Sequence, residues 1–435
     1  MDKNNGAIYD ARKLGKPKMI ILGVQHMFAM FGATILVPIL TGLDISTTLL
    51  MAGLGTLLFH CITKFKVPAF LGSSFAFLGG YAAIKAFSPN DPNSMLPYAC
   101  LGVACAGLIY FILAAVIKAV GIEKVMRFFP PVVTGPIIIA IGLGLAPSAV
   151  SNCTTNWFLA VVALAVIVVF NIWGKGMAKI IPIILGLLIS YGTGLVLYFI
   201  SQANPDLIQN VPWLFSGGAD ANGVYQPIFD FTSLNTICDN ISKGHIFGSE
   251  GLIGIPIHWD QTVFGGIDYS NGALIASSII AIVPIAFATM MEHIGDICAI
   301  SSTTGNNYIK DPGLHRTLVG DGLATTLASL FGGPANTTYG ENTGVLALTR
   351  VYDPRVIRIA AYFAVAVSFF PIVSVIIGSI PSCIIGGISF VLYGMISAIG
   401  VRNVVENKVD FTKSRNLIVA AVILVCALGL SSDTV

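Results

Sequence analysis

Long apolar runs, separated by short polar stretches, follow one another along almost the whole chain. A helix that crosses a bilayer needs roughly 20 mainly apolar residues, and eleven of the runs are read as such helices. We therefore predict spans at 19–40, 47–63, 97–120, 131–148, 157–173, 178–200, 273–302, 317–332, 356–378, 381–400 and 416–431.

Two further runs, 67–80 and 333–347, are short and interrupted by Gly, Pro and polar residues, so we interpret them as broken spans. With them the count is thirteen crossings. Positive charge supports this count, because basic residues concentrate in cytoplasmic loops. With the N-terminus inside, all 23 Lys and Arg residues except Lys85 and Lys243 lie at inner ends, and the alternation is lost without the broken spans.

Composition agrees with a multi-pass membrane protein surrounded by lipid. Apolar residues make up 55% of the 435 positions and charged residues only 10%, whereas soluble proteins carry about 25% charged residues. The net charge of +2 gives no reason to expect a nucleic acid as partner. The eight Cys residues form no CxxC pair and show no metal-ligand spacing, so we expect no metal site and no cofactor.

One long loop, 202–270, interrupts the series of spans and carries seven acidic residues against the single Lys243. Its Gly, Pro and aromatic content predicts an ordered excursion rather than a flexible linker. We expect it to lie outside the cell as a passive cap. The chain ends at 431–435, just after the thirteenth span, and we expect the natural protein to continue for one more helix.

The loop divides the chain into two halves with related features. Each half has a broken third span, and the fifth spans match through Pro130 and Gly135 in the first half and Pro381 and Gly386 in the second. Because the first half has seven spans, the halves insert with opposite orientation. Inverted repeats with interrupted helices at corresponding positions indicate the central binding site of a transporter.

Three carboxylates lie where they are expensive, since a charge at mid-bilayer costs ~2.5–3.5 kcal/mol on insertion scales. Glu292 and Asp296 are four residues apart in the eighth span and share one helix face, while the adjacent His293 points elsewhere. Glu341 lies in the second broken span. Such residues indicate a substrate or proton pathway. The alternative is a structural hydrogen-bonded network between helices.

The broken spans supply groups that bind a polar solute. Where the backbone leaves the helix, free N–H groups at half-helix N-termini become donors. A planar polar heterocycle fits: backbone N–H groups meet its carbonyls, carboxylates accept its ring N–H groups, and aromatic rings cover its faces. Phe75, Tyr339 and Tyr393 are the available aromatics, although each alone is also explained by ordinary helix packing.

Four polar residues are candidates to hold the substrate-binding residues in place without binding the substrate themselves: Gln25, His26, Ser74 and Asn342. For His26 a hydrogen bond to a neighbouring helix is an equally good explanation. Three further residues lie near predicted span ends and are interpreted as structural, namely His60, His315 and Asp321.

Several motifs together cover nearly the whole chain and carry a resemblance to a known family. They are QHMFAMFGATILVP, VPAFLGSSFAF, MEHIGD, DPGLHRTLVGDGLATTLASLFGGPANTTYGEN and ENTGVLALTR. The sequence resembles the nucleobase–ascorbate transporter family, also called nucleobase:cation symporter-2, and within it the bacterial uracil permeases.

The resemblance implies an all-α fold of seven plus seven inverted spans, with half-helix or strand breaks in spans 3 and 10 and the last helix absent from this chain. It implies a moving core domain and a gate domain, which work by elevator-like alternating access. The boundaries would be 1–127 and 271–378 for the core, 128–201 and 379–435 for the gate, and 202–270 for the external loop.

The resemblance also implies roles for single residues. Glu292 and Glu341 would bind the base, backbone N–H groups of Phe75 and Gly340 would donate to it, and Tyr393 would lie on the gate side. Transport would be coupled to protons across the cell membrane, with the N-terminus cytoplasmic and a homodimer as a further expectation.

One position departs from the uracil permeases, which have a histidine where Asp296 stands. This leaves xanthine or another purine open as the substrate in place of uracil. The alternatives from other function classes are an anion exchanger or channel of similar architecture, and an intramembrane hydrolase. Glu292-His293-x-x-Asp296 superficially resembles the zinc motif H-E-x-x-H, but its order is wrong and it has one His where two are needed, so we expect a transporter rather than an enzyme.

Overall fold

The computed structural model describes residues 7–121, 124 and 130–429 of the chain. Helices occupy every one of the uninterrupted apolar runs, as predicted. The residues at 431–435, after which another helix was expected, lie outside the described part. The helices of the first half are α1 (Lys16–Thr41), α2 (Ile45–Ile62), α3 (Leu78–Lys85), α4 (Leu96–Val120), α5 (Pro131–Cys153), α6 (Trp157–Trp173) and α7 (Pro182–Ala203).

The long loop is ordered, with short helices α8 (Asp206–Asn210), α9 (Pro212–Phe215), α10 (Thr232–Ser242) and α11 (Val263–Gly266). The second half contains α12 (Gly272–Ile282), α13 (Ala286–Thr304), α14 (Leu314–Leu330), α15 (Gly340–Thr349), α16 (Pro354–Ser368), α17 (Pro371–Gly378), α18 (Ser382–Glu406) and α19 (Ser414–Gly429). Four short strands complete the fold: β1 (Leu71–Ser73), β2 (Ser216–Ala219), β3 (Tyr225–Pro227) and β4 (Asn336–Thr338).

The chain forms two compact units. The first comprises Met1–Val125 and Thr236–Ile377, and the second comprises Met126–Asn235 and Gly378–Val435. The segment 202–270, predicted as one external loop, is shared between them: the β2–β3 hairpin belongs to the second unit, and α11 to the first. That one unit moves as a core against the other as a gate stays a prediction.

Both broken spans predicted in the first unit are present, and they pair with each other. β1 and β4 run antiparallel, with Leu71 opposite Thr338 and Ser73 opposite Asn336. Each strand is followed within a few residues by a half-helix, α3 after β1 and α15 after β4. The Thr56 hydroxyl of α2 accepts from the Leu71 N–H at 2.9 Å and so secures the start of β1.

The span predicted at 356–378 is not one straight helix. It bends by 87° between α16 and α17. Pro371 explains the bend, because proline has no N–H to continue the helix and disfavours helical backbone at the residue before it. A continuous apolar run does not reveal such a break, because apolarity is the same on both sides of it.

Among the described residues, seven helices are long and apolar enough to cross a membrane, or eight if α16 and α17 form one span. The predicted count of thirteen crossings is larger because it includes shorter helices and both broken spans. α6 and α19 are apolar but have only 17 and 16 residues. The chain is thus a multi-pass membrane protein, and the full count stays a prediction.

Close contact between α4 and α14 depends on glycine. A Cβ at Gly107 would lie 2.3 Å from the Thr326 Oγ1 and 2.7 Å from the Gly322 carbonyl oxygen. Small residues of this kind let helix backbones approach in membrane proteins, where lipid offers no hydrophobic drive for association. Thr326 also donates to the Ala104 carbonyl at 3.1 Å across the same interface.

We expect Gly107→Ala to destabilise the protein by about 1–3 kcal/mol, because the added methyl group collides with backbone that cannot move cheaply. Gly79→Ala is the matched control, since a Cβ there meets nothing within 4 Å. Thermal unfolding of the purified protein in one detergent compares the two. Equal melting temperatures for the variants would contradict the close packing.

Candidate functional site

The two breaks, at which a site is predicted, lie in the first unit and meet at the β1–β4 pair. The pairing extends beyond the strands, because the Ser74 N–H donates to the Ala335 carbonyl at 2.8 Å and the Tyr339 N–H to the Phe70 carbonyl at 3.1 Å. The two half-helices therefore begin at opposite ends of a small sheet held by backbone hydrogen bonds.

Several backbone N–H groups at these breaks are without a backbone acceptor among the described residues, and those of Phe75 and Gly340 are among them. Gly340 opens α15, whose cap residue Tyr339 makes no side-chain cap bond. The first N–H groups of a helix have no partner within it, and they carry the positive end of the helix dipole. Gly340 is exposed, with nothing within 4 Å of where a Cβ would stand, so this end of α15 is open to a ligand.

The three carboxylates predicted from sequence lie in the same unit but in different surroundings. Glu341 is half-buried in the first turn of α15, where a negative charge is favoured by the dipole. Asp296 of α13 is half-buried and accepts a hydrogen bond from the Thr338 hydroxyl of β4 at 2.7 Å. Glu292, one turn earlier, is exposed on the surface of α13. The bond to Thr338 thus ties α13 to the strand pair.

The His293 side chain does not point away from Asp296, as the sequence predicted. Its Nδ1 lies 3.5 Å from the same Thr338 hydroxyl that donates to Asp296, so the two side chains converge instead of facing apart. Residues three apart on a helix are neighbours, which explains the convergence. His293 is fully buried.

Asp321 was interpreted from the sequence as a structural residue near a span end, and its position is different. It lies in mid-α14 with no exposed surface, and its Oδ2 is 3.3 Å from the His293 Nδ1. An acid within a membrane helix is by itself a signal for function, and that signal was available in the sequence. Thr338 has no such signal, because threonine is common in polar breaks.

Some of the polar residues predicted to support the site have hydrogen-bond partners and others do not. The Asn342 side-chain amide donates to both the Nδ1 and the carbonyl of His26 at 3.1 Å, which joins α15 to α1. His26 is thus hydrogen-bonded to a neighbouring helix, and its supporting role at the site stays a prediction. The Gln25 Oε1 and the Ser74 hydroxyl are buried without a hydrogen-bond partner among the described residues.

Of the three predicted aromatics, Tyr339 and Phe75 lie together in the first unit. Tyr339 belongs to a buried cluster against which the half-buried Phe75 packs. The Tyr339 hydroxyl donates to the Ser73 carbonyl at 2.8 Å, and its ring covers Gly72, where a Cβ would come within 2.5 Å. Tyr393 is buried on α18, in the second unit, and its predicted role at the gate stays a prediction.

These groups supply backbone donors and carboxylate acceptors on neighbouring elements of one unit. The arrangement can bind a planar solute that has both carbonyl and N–H groups along its edge. Within the described ranges, no group of three or more His, Cys, Asp or Glu side chains could hold a metal ion.

Comparison with known proteins gives a family. The model of a permease family, Xan_ur_permease, matches residues 17–435. The uracil permease of Bacillus caldolyticus is 39% identical, with 94% of this chain and 85% of that protein covered. The uracil permease of Bacillus subtilis is 38% identical over the same shares, and that of Escherichia coli is 32% identical over 93% and 83%.

Solved structures agree on the fold. The transmembrane domain of the cyanobacterial bicarbonate transporter BicA matches with a TM-score of 0.64 at 12% identity, over 98% of both chains. SLC26A9 matches with a TM-score of 0.53 at 10% identity, over 97% of this chain and 63% of that one. The predicted seven-plus-seven inverted-repeat fold class is therefore confirmed.

Two adjacent threonines of β4 offer a matched test of the Asp296 contact. We expect Thr338→Val to lower stability by about 1.5–3 kcal/mol, because the hydroxyl donates to a carboxylate that would lose a partner. Thr337→Val is the control: its hydroxyl is buried without a partner among the described residues, so its loss is neutral or stabilising. Thermal unfolding in detergent compares them, and a Thr337→Val variant that is the less stable one would refute the assignment.

Proposed function

We propose, since the chain belongs to the xanthine/uracil permease family, that it is a proton-coupled symporter that imports a nucleobase, and that this base is uracil. The observation that carries the proposal is the pair of broken spans, with open N–H groups at Phe75 and Gly340 beside Glu341.

The hydrogen-bonding pattern of the base complements these groups. Uracil presents two carbonyl oxygens and two ring N–H groups on one flat ring. The N–H groups of Phe75 and Gly340 would donate to a carbonyl, while Glu292 and Glu341 would accept from the ring N–H groups. A site built to pair such edges rejects analogues that leave its polar groups unpaired. Phe75 and Tyr339 would line one side of the ring.

Uracil is favoured over xanthine by the relatives, since the Bacillus and Escherichia proteins above are named uracil permeases. The opposing observation is Asp296, which stands where uracil permeases are expected to have histidine. An ionised Asp only accepts hydrogen bonds, whereas histidine also donates. A purine permease is therefore the second candidate.

Proton coupling follows from the same carboxylates. Glu292 would be protonated when the base binds, and release of the proton to the cytoplasm would favour the empty, returning state. The first unit, which holds these groups, would move against the second in an elevator-like cycle. The distribution of basic residues supports a cytoplasmic N-terminus in the cell membrane.

We expect Glu341→Gln to reduce uracil uptake at least about tenfold, since a hydrogen bond to a charged group contributes about 1.5–3 kcal/mol. Glu250→Gln is the control, because Glu250 is an exposed loop carboxylate. The measurement is uptake of labelled uracil into proteoliposomes.

The same vesicles test coupling. Uptake by the unmutated protein should rise when the outside is made more acidic than the inside and fall when a protonophore is added, whereas Glu292→Gln should respond to neither. Uptake that ignores the gradient in the unmutated protein would refute proton coupling while leaving base transport in place.

Competition distinguishes the two substrate candidates. We expect excess unlabelled uracil to abolish labelled uracil uptake and excess xanthine to leave at least half of it, since a site shaped for one ring excludes two. If xanthine competes as well as uracil, the purine alternative replaces the proposal.

A further inference from the structure

The segment Ile8–Leu14, here called the N-terminal strap, is bound to the helices of the first unit before α1 begins. Ile8 forms a parallel bridge with Val351: its N–H donates to the Arg350 carbonyl at 2.9 Å, and its carbonyl accepts from the Tyr352 N–H at 2.8 Å. Arg350 directly follows α15, so the strap holds the C-terminal end of the half-helix that carries Glu341.

A second bond holds the other helix of the candidate site. The Tyr9 hydroxyl donates to the carbonyl of Thr304 at 2.7 Å, and Thr304 is the last residue of α13. α13 carries Glu292 and Asp296. The strap therefore reaches the ends of both helices that supply the carboxylates.

Charged contacts fix the strap to the start of α16. The Ala11 N–H donates to the buried carboxylate of Asp353, which also caps α16. Arg355 donates to Asp10 at 2.9 Å. Hydrogen bonds from Arg12 are the main cause that lowers the Asp10 pKa to about 2, so this carboxylate is ionised throughout the physiological range.

The strap is also packed. Ala11 has no exposed surface and joins Val351 and Val356 in an apolar cluster, against which Ile8 and Leu14 pack. A segment with this packing and these bonds is a fixed part of the unit.

The consequence for the site is mechanical. α15 has ten residues, or roughly 15 Å of helix. Its N-terminal end is held by the pairing of β4 with β1, and its C-terminal end by the strap. If the strap is released, the C-terminal end of α15 loses this anchor, and the half-helix can tilt relative to α13 about its N-terminal end, which β4 and the Asn342–His26 bonds still hold.

We propose that the N-terminal strap positions the substrate site by holding the far ends of α13 and α15. The strap residues do not touch the substrate and act through the helices. This inference rests on the proposed function for its effect on the base, but the restraint on α15 can be measured without any substrate.

The test uses two strap variants and one control in the full-length chain. Ile8→Pro removes the N–H that donates to Arg350, and Tyr9→Phe removes only the hydroxyl that donates to Thr304. Lys13→Ala is the control, because Lys13 is exposed in the same segment and its side chain makes no hydrogen bond or ion pair within the described residues. Hydrogen exchange of residues 286–304 and 340–349 and equilibrium binding of labelled uracil are measured on each purified protein.

We expect Ile8→Pro to lose exchange protection in α15 and Tyr9→Phe to lose it at the end of α13, with uracil affinity weakened roughly two- to tenfold. Lys13→Ala should match the unmutated protein. Unchanged exchange in both strap variants would overturn the restraint. Altered exchange with unchanged affinity would overturn the positioning role.

The two proposals fail in different ways. If the unmutated protein does not bind uracil, the proposed substrate is wrong, and the exchange data alone decide whether the strap restrains the helices. If Ile8→Pro does not fold, Tyr9→Phe decides the question, since it removes one surface hydroxyl and keeps the bridge to Val351.

Discussion

The unit that holds the candidate site depends on one constraint. Backbone that leaves helical geometry within a membrane must find partners for its N–H and C=O groups in the protein, because lipid offers none. The pairing of β1 with β4 meets this constraint for both breaks at once. The Thr56 hydroxyl and the Asn336 side chain, which donates to the Met51 carbonyl, extend it to α2. With these bonds made, the N–H groups that stay open at the breaks within the described residues include those of Phe75 and Gly340.

The strand pairing also determines how the Asp296 carboxylate is held. Thr338 is held in β4 by the strand pairing, and its hydroxyl in turn fixes Asp296. On the other side of the same hydroxyl lie His293 and then Asp321, both without exposed surface. A line of polar side chains thus runs from the open surface of α13 into the interior of the unit. The His293 Nε2 and both Asp321 oxygens are buried without a hydrogen bond among the described residues, and buried polar groups that lack partners are costly.

Sequence reasoning located the spans and both breaks because each has a local cause. Apolar runs indicate helices buried in lipid, and Gly, Pro and polar residues at 67–80 and 333–347 indicate that the helix is interrupted there. The pairing of Leu71 with Thr338 has no local signal, since the partners lie far apart in the chain and each strand has only three residues. The same holds for the convergence of His293 and Asp321, because sequence spacing within one helix says nothing about a neighbouring helix. The bend before Pro371 had a signal in the proline itself, but the apolar run concealed it.

The same need for hydrogen-bond partners applies at the ends of the short half-helices. Isolated helices below about 12–15 residues are marginal, so neither α3 nor α15 is stable by its own hydrogen bonds. α3, with eight residues, is held at its end by Lys85, whose ammonium donates to the Thr41 carbonyl at 2.9 Å. At the end of α15 the backbone of Ile8 has the corresponding position, because its N–H donates to the Arg350 carbonyl at 2.9 Å. A break in a span removes backbone hydrogen bonds that a continuous helix would make. The half-helix that results therefore needs other hydrogen-bond partners at both of its ends. In this chain the second replacement comes from residues ahead of the first span, which makes the N-terminal segment part of the same structural solution as the β1–β4 pair.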